Sequence, residues 1–277
     1  MQPATGAALS VGSTTAAAPR PPSGGRRRSR GRVPPIWVAR LAVIGVFLAL
    51  VELAVRMEFL NPFFVPRPTA VLSRMVVILI DVNFLKMVGI TLGETLVGFV
   101  IAAVSGISLG FALWRFRPLG DAFEPLVAAL FSSPIVLLYP IFLVILGRNP
   151  AAIIALGAIF AVLPTILFTK QALGAVSATL LNVGRSINLS AWASLRHIML
   201  PAAAPTIFTG LRIALTYVLI VVVAMEYILQ IGGLGRVVAE SALLFRTTEL
   251  YVSVGLIVVI SATFIWMINR LERLAQR

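Results

Sequence analysis

The sequence contains no cysteine and a single histidine among its 277 residues. Without cysteine it can form neither a disulfide framework nor a thiolate metal site, and one histidine supplies too few ligands for zinc or haem. Charged residues are scarce as well, at 12% of the chain, whereas 59% of the residues are apolar. A composition so much more apolar than that of soluble domains indicates an integral membrane protein. We therefore expect no cofactor and no metal in this chain.

The net charge of +13 is the second unusual feature of the composition. An excess of positive charge is common in proteins that bind nucleic acid. Here much of it lies in the cluster from Arg20 to Arg32, and the rest is scattered between apolar segments. This distribution favours an anionic lipid bilayer as the partner and argues against nucleic acid.

Residues 1–33 are rich in Ala, Ser, Gly, Pro and Arg and lack apolar periodicity, which predicts a disordered, Arg-rich tail. A cleaved signal peptide is the alternative, because RRRSRGR precedes an apolar segment with small residues near Ala54. That segment is long enough to cross a membrane and further apolar segments follow it, so we favour the tail. Residues 34–277 then form one membrane domain.

Six segments approach the length of about 20 apolar residues that a membrane-spanning helix requires. They are Ile36–Val55, Ile90–Leu113, Leu126–Leu146, Ala151–Phe168, Ile207–Leu229 and Tyr251–Ile268. Residues 65–86 are predicted to form an amphipathic interfacial helix, since Arg74, Asp81 and Lys86 interrupt their apolar residues. The sequence therefore predicts an all-α integral membrane protein with about six transmembrane helices.

The distribution of Lys and Arg predicts how the chain is oriented in the membrane. With the N-terminus inside, fifteen of the 23 basic residues fall on the inner side and seven on the outer side. By the positive-inside rule, both termini should be cytoplasmic. The segment of about residues 170–205, between the fourth and fifth spans, is then a cytoplasmic loop.

This loop has a helical apolar pattern between Asn182 and Met199. Its apolar residues recur at spacings of four, four, four and three, at Val183, Ile187, Ala191, Leu195 and Ile198. The spacing predicts that they share one face of a helix. Pro201, which lacks a backbone donor, should end that helix. Periodicity alone is consistent with either an interfacial helix or an element that docks onto a partner.

Acidic residues inside the spans are candidates for function because a charge in the membrane is costly. Glu52 is near the outer end of the first span, where water can reach it. Glu94 is expected to pair with another group in the helix bundle. Glu226 is expected either to line a pathway or to pair with a basic residue such as Arg148 or Arg236.

Proline and glycine mark further special positions in the spans. Pro134 and Pro140 should kink the third span, because each removes a donor from its hydrogen-bond ladder. A kinked helix beside a cavity and a bent packing helix are equally consistent with them. Gly98, Gly106 and Gly110 lie near one face of the second span, where small residues allow close packing of helices.

The end of the loop reads LPAAAP from Leu200 to Pro205 and is followed by GLRIAL from Gly210. This pattern resembles the cytoplasmic loop in the membrane subunits (permeases) of type I ATP-binding-cassette (ABC) importers. That loop has the form Glu-Ala-Ala, three residues, Gly, nine residues, an apolar residue, any residue and Leu-Pro. Asn188 stands at the Gly position and can keep the bend, because Asn tolerates positive φ. Asn182, Val183 and Gly184 stand where Glu-Ala-Ala is usual, so the acidic residue is missing.

The resemblance extends over most of residues 60–277 and is closest to the nitrate, sulfonate and taurine branch of the family. Further matching stretches are VPRPTAVL at Val65–Leu72, GISLG at Gly106–Gly110, SPIVLLYPIFLVILG at Ser133–Gly147, and Glu226 with Gly233-Leu234-Gly235. Ser108 stands where this branch usually has Pro.

The resemblance implies a function and a set of partners. The loop would be a coupling helix that contacts a cytoplasmic ATPase subunit, through Asn182, Val183, Gly184, Asn188, Ala191, Leu195, Ile198, Leu200 and Pro201. ATP and Mg²⁺ would bind to that ATPase, since this chain has no Gly-x-x-x-x-Gly-Lys-Ser/Thr phosphate loop.

An extracytoplasmic substrate-binding protein and a second permease, either a copy or a paralogue, would complete an importer in the bacterial cytoplasmic membrane. The substrate would be a small solute such as nitrate, a sulfonate or taurine. Because the Glu-Ala-Ala segment is degenerate, a heterodimer with a more typical permease is a further hypothesis.

Three other functions are less consistent with the sequence. A membrane hydrolase needs a nucleophile and base or metal ligands, and His197 in the loop is the only histidine. A transporter driven by an ion gradient could use Glu94 and Glu226, although it would more often show two repeated halves with broken helices. A purely structural subunit would not explain the Leu-Pro loop. We therefore expect a transport subunit that is not itself an enzyme.

Overall fold

The computed structural model describes residues 36–275, which are almost entirely helical. The predicted tail, residues 1–33, lies outside the described residues, so its disorder stays a prediction. Residues 47–275 form one compact unit, and residues 36–46 belong to a separate one. The helices are α1 (Ile36–Arg56), α2 (Pro68–Ile78), α3 (Val82–Arg115), α4 (Arg117–Ser132), α5 (Tyr139–Leu146), α6 (Pro150–Gly174), α7 (Ala178–Ser186), α8 (Ala191–Ser194), α9 (Leu200–Leu229), α10 (Gly233–Leu243) and α11 (Thr247–Ala275).

Within residues 36–275, five helical segments are long and apolar enough to cross a membrane, and a bent pair of helices can supply a sixth crossing. The prediction of about six transmembrane helices is therefore confirmed, with α4 and α5 in place of the continuous third span. The second span, α3, begins at Val82, eight residues before the predicted start at Ile90. The predicted bounds were too short because polar residues at helix ends carry no apolar signal.

The third span breaks at Ser133, where α4 and α5 meet at an angle of 83°. Ser133 is extended, with ψ of 149°, because the ring of Pro134 disfavours helical geometry in the residue before it. A 3₁₀ turn, Ile135–Leu138, then leads into α5. Pro140 was wrongly predicted to kink the span. It lies in the first turn of α5, where its missing donor costs no helical hydrogen bond.

The segment between the first two spans folds as a short helix followed by the start of α3. Helix α2 ends at Ile78, and the predicted interfacial helix is wrong beyond this point because Asp81 caps α3, its Oδ1 accepting from Asn83 N at 2.8 Å. Glu52 of α1 accepts hydrogen bonds from the backbone N (3.1 Å) and the Oγ1 (3.0 Å) of Thr69 in the first turn of α2. The Glu52 carboxylate also accepts from Nε of the exposed Arg56 at 2.9 Å. Glu52 thus fixes α2 to α1 by capping it, and its solvation by water stays a prediction.

The core of the compact unit is built from α3, α6 and α9. The three helices bury apolar side chains against one another, including Ala102, Ile153 and Val218. A Cβ added to Gly106 would lie 2.5 Å from the Cβ of Thr165 on α6, and one added to Gly110 would lie 2.7 Å from the Cβ of Thr169. The predicted glycine face of α3 is therefore confirmed as a packing surface, and it sets how closely α3 and α6 approach.

Candidate functional site

The loop between the fourth and fifth spans is the first candidate site, and it folds as two short helices joined at Asn188. Ser177 caps α7, and Ser190 caps α8, its Oγ accepting from Ala193 N at 3.2 Å. Between the two helices Asn188 has φ of 54°, in the left-handed region. The prediction that Asn188 supplies the bend is confirmed, because few residues other than Gly and Asn adopt this conformation at low cost.

Pro201 does not end the second of these helices. A π-helical turn, Leu195–Met199, joins α8 to α9, in which the N–H of Leu200 donates to the carbonyl of Leu195. The prediction was wrong because this widened turn accommodates the proline ring and its missing donor within a continuous helical path. As a result Ala191–Leu229 is one helical segment of 39 residues. Leu200, at the start of α9, is 40% exposed.

The apolar residues of the loop do not share one face, contrary to the periodicity. Val183 and Ile187 are 54% and 64% exposed, and Ala191 is exposed too. Leu195 and Ile198 turn inward and are half-buried. Asn188 interrupts the helix between Ile187 and Ala191, so the helical repeat on which the prediction depended does not continue through the loop, although Ala191 remains on the exposed side.

Gly184 is the contact that holds the two parts of the loop together. It is buried, and a Cβ added there would lie 2.7 Å from Cδ1 of Ile198. Below it, Met199 and the half-buried Leu195 pack on Leu173 at the end of α6. Inward packing of these side chains leaves the opposite side of α7 and α8 free for a partner.

The free side of the loop is apolar and basic. Trp192 is 69% and Leu180 is 44% exposed, beside the exposed Val183 and Ile187. The segment from Lys170 to Pro205 contains no acidic residue, and Arg185 and Arg196 are exposed. Asn182, at the position expected to be acidic, accepts a hydrogen bond from Arg185 at 3.3 Å. This exposed surface is therefore apolar and positively charged.

Glu226 is the centre of the second candidate site, a buried polar cluster at the other end of α9. The residue is fully buried, and its carboxylate accepts from Thr91 Oγ1 at 2.7 Å and from the backbone N of Gly235 at 2.8 Å. Thr91 Oγ1 accepts in turn from the backbone N of Leu234 at 2.8 Å. Glu226 thus ties α9 to α3 and to the N-terminus of α10, where a carboxylate satisfies free N–H groups.

Neither basic residue proposed as a partner pairs with Glu226. Arg148 instead donates through Nε to the carbonyl of Leu229 at 2.9 Å, which holds the end of α9. Arg236 faces Glu240 at 4.0 Å on its own helix. Gly233 and Gly235 lie so close to Glu226 that a Cβ on either glycine would overlap its side chain. This close approach leaves no room on that side of Glu226 for a long side chain such as arginine.

Glu94 lies beside this cluster without the pairing that the sequence predicted. It is 6% exposed, and within the described residues its Oε2 has no hydrogen-bond partner, as is true of the Thr95 hydroxyl. Among residues 36–275 Glu94 takes part in no salt bridge, so the pairing expected from the sequence is not found there.

Two residues of these sites, Thr91 and Trp192, were not predicted from the sequence. Thr91 bridges Glu226 and α10, and its signal was the set of polar residues Thr91, Glu94 and Thr95 at helical spacing in an apolar span. Trp192 contributes the most exposed aromatic side chain of the loop. Trp192 was assigned to neither face of the loop, because the apolar spacing was interpreted as one helix that continued through α7 and α8.

Comparison with known proteins places these features in context. A sequence model of the family described as binding-protein-dependent transport system inner membrane component matches residues 98–277. The chain is 28% identical over 188 residues to a probable ABC transporter permease protein of Brucella melitensis, an alignment covering 68% of this chain and 76% of that protein. It is 30% identical over 146 residues to the nitrate import permease protein NrtB of Synechococcus elongatus, which covers 53% of this chain and 52% of that protein.

Solved structures give the same fold. A chain of the methionine ABC transporter MetNI, in an inward-facing conformation, aligns with a TM-score of 0.61 at 22% identity. The alignment covers 70% of this chain and 96% of that chain. At this level of identity the likeness concerns the arrangement of the helices alone.

Proposed function

Because the chain belongs to the family of binding-protein-dependent transport system inner membrane components, we propose that it moves a small solute into the cell as the permease subunit of an ABC importer. The permease itself would carry no catalytic residue. ATP and Mg²⁺ would act on a separate ATPase subunit, whose closure would drive alternating access of the permease between its two sides.

The exposed apolar side of α7 and α8 is the observation that carries this proposal. Four large apolar side chains, Leu180, Val183, Ile187 and Trp192, are 44% to 69% exposed in a loop outside the apolar spans. Exposing them to water is costly, and a groove on a partner would remove that cost. The continuous helical path from α8 into α9 gives such a partner a connection to the spans.

The remaining parts of the proposal follow from family membership. An extracytoplasmic binding protein would deliver the substrate, and a second permease would complete the pathway. Asn182 in place of an acidic residue supports a heterodimer with a paralogous permease whose loop couples more strongly. We place the protein in the bacterial cytoplasmic membrane, with both termini and the loop of residues 170–205 inside.

The proposed substrate class is a small anion or a sulfonate-like compound. The similarity to the nitrate permease NrtB supports this choice. A gradient-driven transporter that protonates and deprotonates Glu226 is less favoured, because the Glu226 carboxylate already accepts hydrogen bonds from Thr91 and Gly235. Transport by coupling to ATP makes no such demand on the residue.

Affinity purification from native membranes in mild detergent tests the proposal. We expect an ATPase with a nucleotide-binding phosphate loop to copurify with the tagged wild-type chain. Val183→Asp and Ile187→Asp should abolish its recovery, because each puts a charge into the apolar contact. Val76→Asp is the matched control, since Val76 is 65% exposed on α2, outside the loop.

Two results would contradict the proposal. Recovery of the intact chain without any ATPase, in a detergent that preserves related complexes, would favour the gradient-driven alternative. Equal loss of the ATPase in the Val76→Asp control would show that recovery does not depend on the loop. Mass spectrometry of the same sample identifies whether a second, paralogous permease is present.

A further inference from the structure

A cavity of about 580 Å³ lies between the end of α3 and the loop. Phe111, Trp114 and Arg115 of α3 form one wall, and residues of α7, α8 and the π turn form the other. Its volume is in the range of pockets that bind small molecules or lipid headgroups. The exposed side of the loop described above is a different surface, although Arg185 and Trp192 border both.

The cavity is lined by cations and apolar groups. Arg115 and Arg185 both contribute to it, together with the indoles of Trp114 and Trp192. None of its lining residues is acidic. A ligand that complements this lining must carry a negative charge and an apolar portion.

The two arginines are available to such a ligand. Among the residues that the structure describes, neither forms a salt bridge with a carboxylate. Arg185 has only the neutral side chain of Asn182 as a partner, and Arg115 lies 5.8 Å from the ring centroid of Phe116. In the adjacent cavity, by contrast, Lys170 is neutralised by Glu124 at 2.5 Å and by Asp121 at 3.4 Å.

The position of the cavity in the membrane narrows the choice of ligand. Arg115 is the last residue of the spanning helix α3, so the cavity opens where the apolar span meets the polar region. Phospholipid headgroups occupy that level of the bilayer, and Trp side chains such as Trp114 are enriched there. A soluble anion has no apolar part that could contact the aromatic side chains, whereas the glycerol and upper acyl chains of a lipid would contact them.

We propose that this cavity binds the headgroup of an anionic phospholipid, with Arg115 and Arg185 contacting the phosphate. The lipid would lie directly beneath the loop and support it from the membrane side. Binding would not depend on the ATPase, so the inference goes beyond the proposed function and can be tested on the permease alone.

Native mass spectrometry of the full-length chain in detergent provides the test. Phosphatidylglycerol and phosphatidylcholine with identical acyl chains are added in equal amounts, and the bound fraction of each is measured. We expect preferential binding of phosphatidylglycerol by the wild type. At about 1 kcal/mol per arginine, Arg115→Gln and Arg185→Gln should each weaken its affinity about fivefold and the double variant about 30-fold.

Matched variants separate loss of the site from loss of the fold. Arg196→Gln removes an exposed arginine of the same loop that does not line the cavity, so it should bind phosphatidylglycerol like the wild type. Replacing both lining arginines with lysine keeps the charge and should restore most of the preference.

Three outcomes would overturn the proposal. One is equal binding of the two lipids by the wild type. Another is undiminished preference for phosphatidylglycerol in the double glutamine variant. The third is displacement of phosphatidylglycerol by inorganic phosphate at matched concentration, which would identify a site for a soluble anion instead of a lipid.

Discussion

Replacing Thr91 with valine tests whether the buried cluster around Glu226 holds three helices together. Valine has nearly the shape of threonine, so the change removes the hydroxyl without opening a large cavity. The hydroxyl donates to Glu226 and accepts from the backbone N of Leu234. Its loss therefore removes one hydrogen bond to a carboxylate and leaves one buried N–H without its acceptor.

The magnitude follows from these two losses. A hydrogen bond to a charged group contributes about 1.5–3 kcal/mol, and an unsatisfied buried donor costs about 1–3 kcal/mol. We expect Thr91→Val to destabilise the fold by about 3 kcal/mol or more, which corresponds to a fall in melting temperature of about 6–12 °C for a chain of this size. Scanning fluorimetry of the purified protein in detergent measures this shift.

Thr165→Val is the matched control for Thr91→Val. Thr165 is 1% exposed on α6, and its hydroxyl bonds only the carbonyl of Ala161 in its own helix, at 2.9 Å. Losing that bond leaves no donor without an acceptor, so the control should lower the melting temperature much less. Equal shifts for the two variants would refute the role of Thr91 as a bridge.

Three further substitutions test the packing and the loop. Gly106→Ala should destabilise the fold by about 1–3 kcal/mol through overpacking, whereas Gly93→Ala, whose Cβ would meet no atom within 4 Å, should leave the melting temperature unchanged or slightly higher. Asn188→Val should cost about 1–3 kcal/mol because a β-branched residue is strained at positive φ, and Asn188→Gly should be tolerated in the same melting assay. Gly184→Val should separate α7 from Ile198, against which a Cβ would lie at 2.7 Å, and should reduce ATPase recovery in the affinity purification.

The spans could be predicted from sequence because their signal is local. Apolar length alone located α1 within one residue at each end and the starts of α6 and α11 within four residues, whereas their ends lie six and seven residues beyond the predicted ones. The contacts of Glu226 could not be predicted, since Thr91 is 135 residues away in sequence and no periodicity reports which helices are neighbours. A basic partner was one expectation for this buried acid, but the Thr91 hydroxyl and the backbone N–H of Gly235 fulfil that role.

The loop was predicted partly correctly for a related reason. Asn188 was identified as a bend from its residue type, a local property. The assignment of faces failed because it assumed a continuous helix through that bend. The prediction that Pro201 ends the helix failed because a π turn precedes it. Leu195 and Met199 of that turn pack with Leu173 of α6, a contact that the sequence of the loop does not contain.

The continuity of α8 and α9 gives the loop a mechanical connection to the opposite end of the bundle. The helical segment Ala191–Leu229 has 39 residues and is about 58 Å long at 1.5 Å per residue. Near its far end, Glu226 is bonded to α3 through Thr91 and to α10 through Gly235. If the π turn transmits it, a displacement of α8 by an ATPase would therefore reach α3 and α10 through this cluster. In that case a complex containing Thr91→Val should keep its basal ATP hydrolysis and lose much of the stimulation by its substrate-binding protein. A phosphate-release assay measures this stimulation at a temperature where the variant is folded. Full stimulation in that variant would mean that the cluster stabilises the fold without transmitting movement.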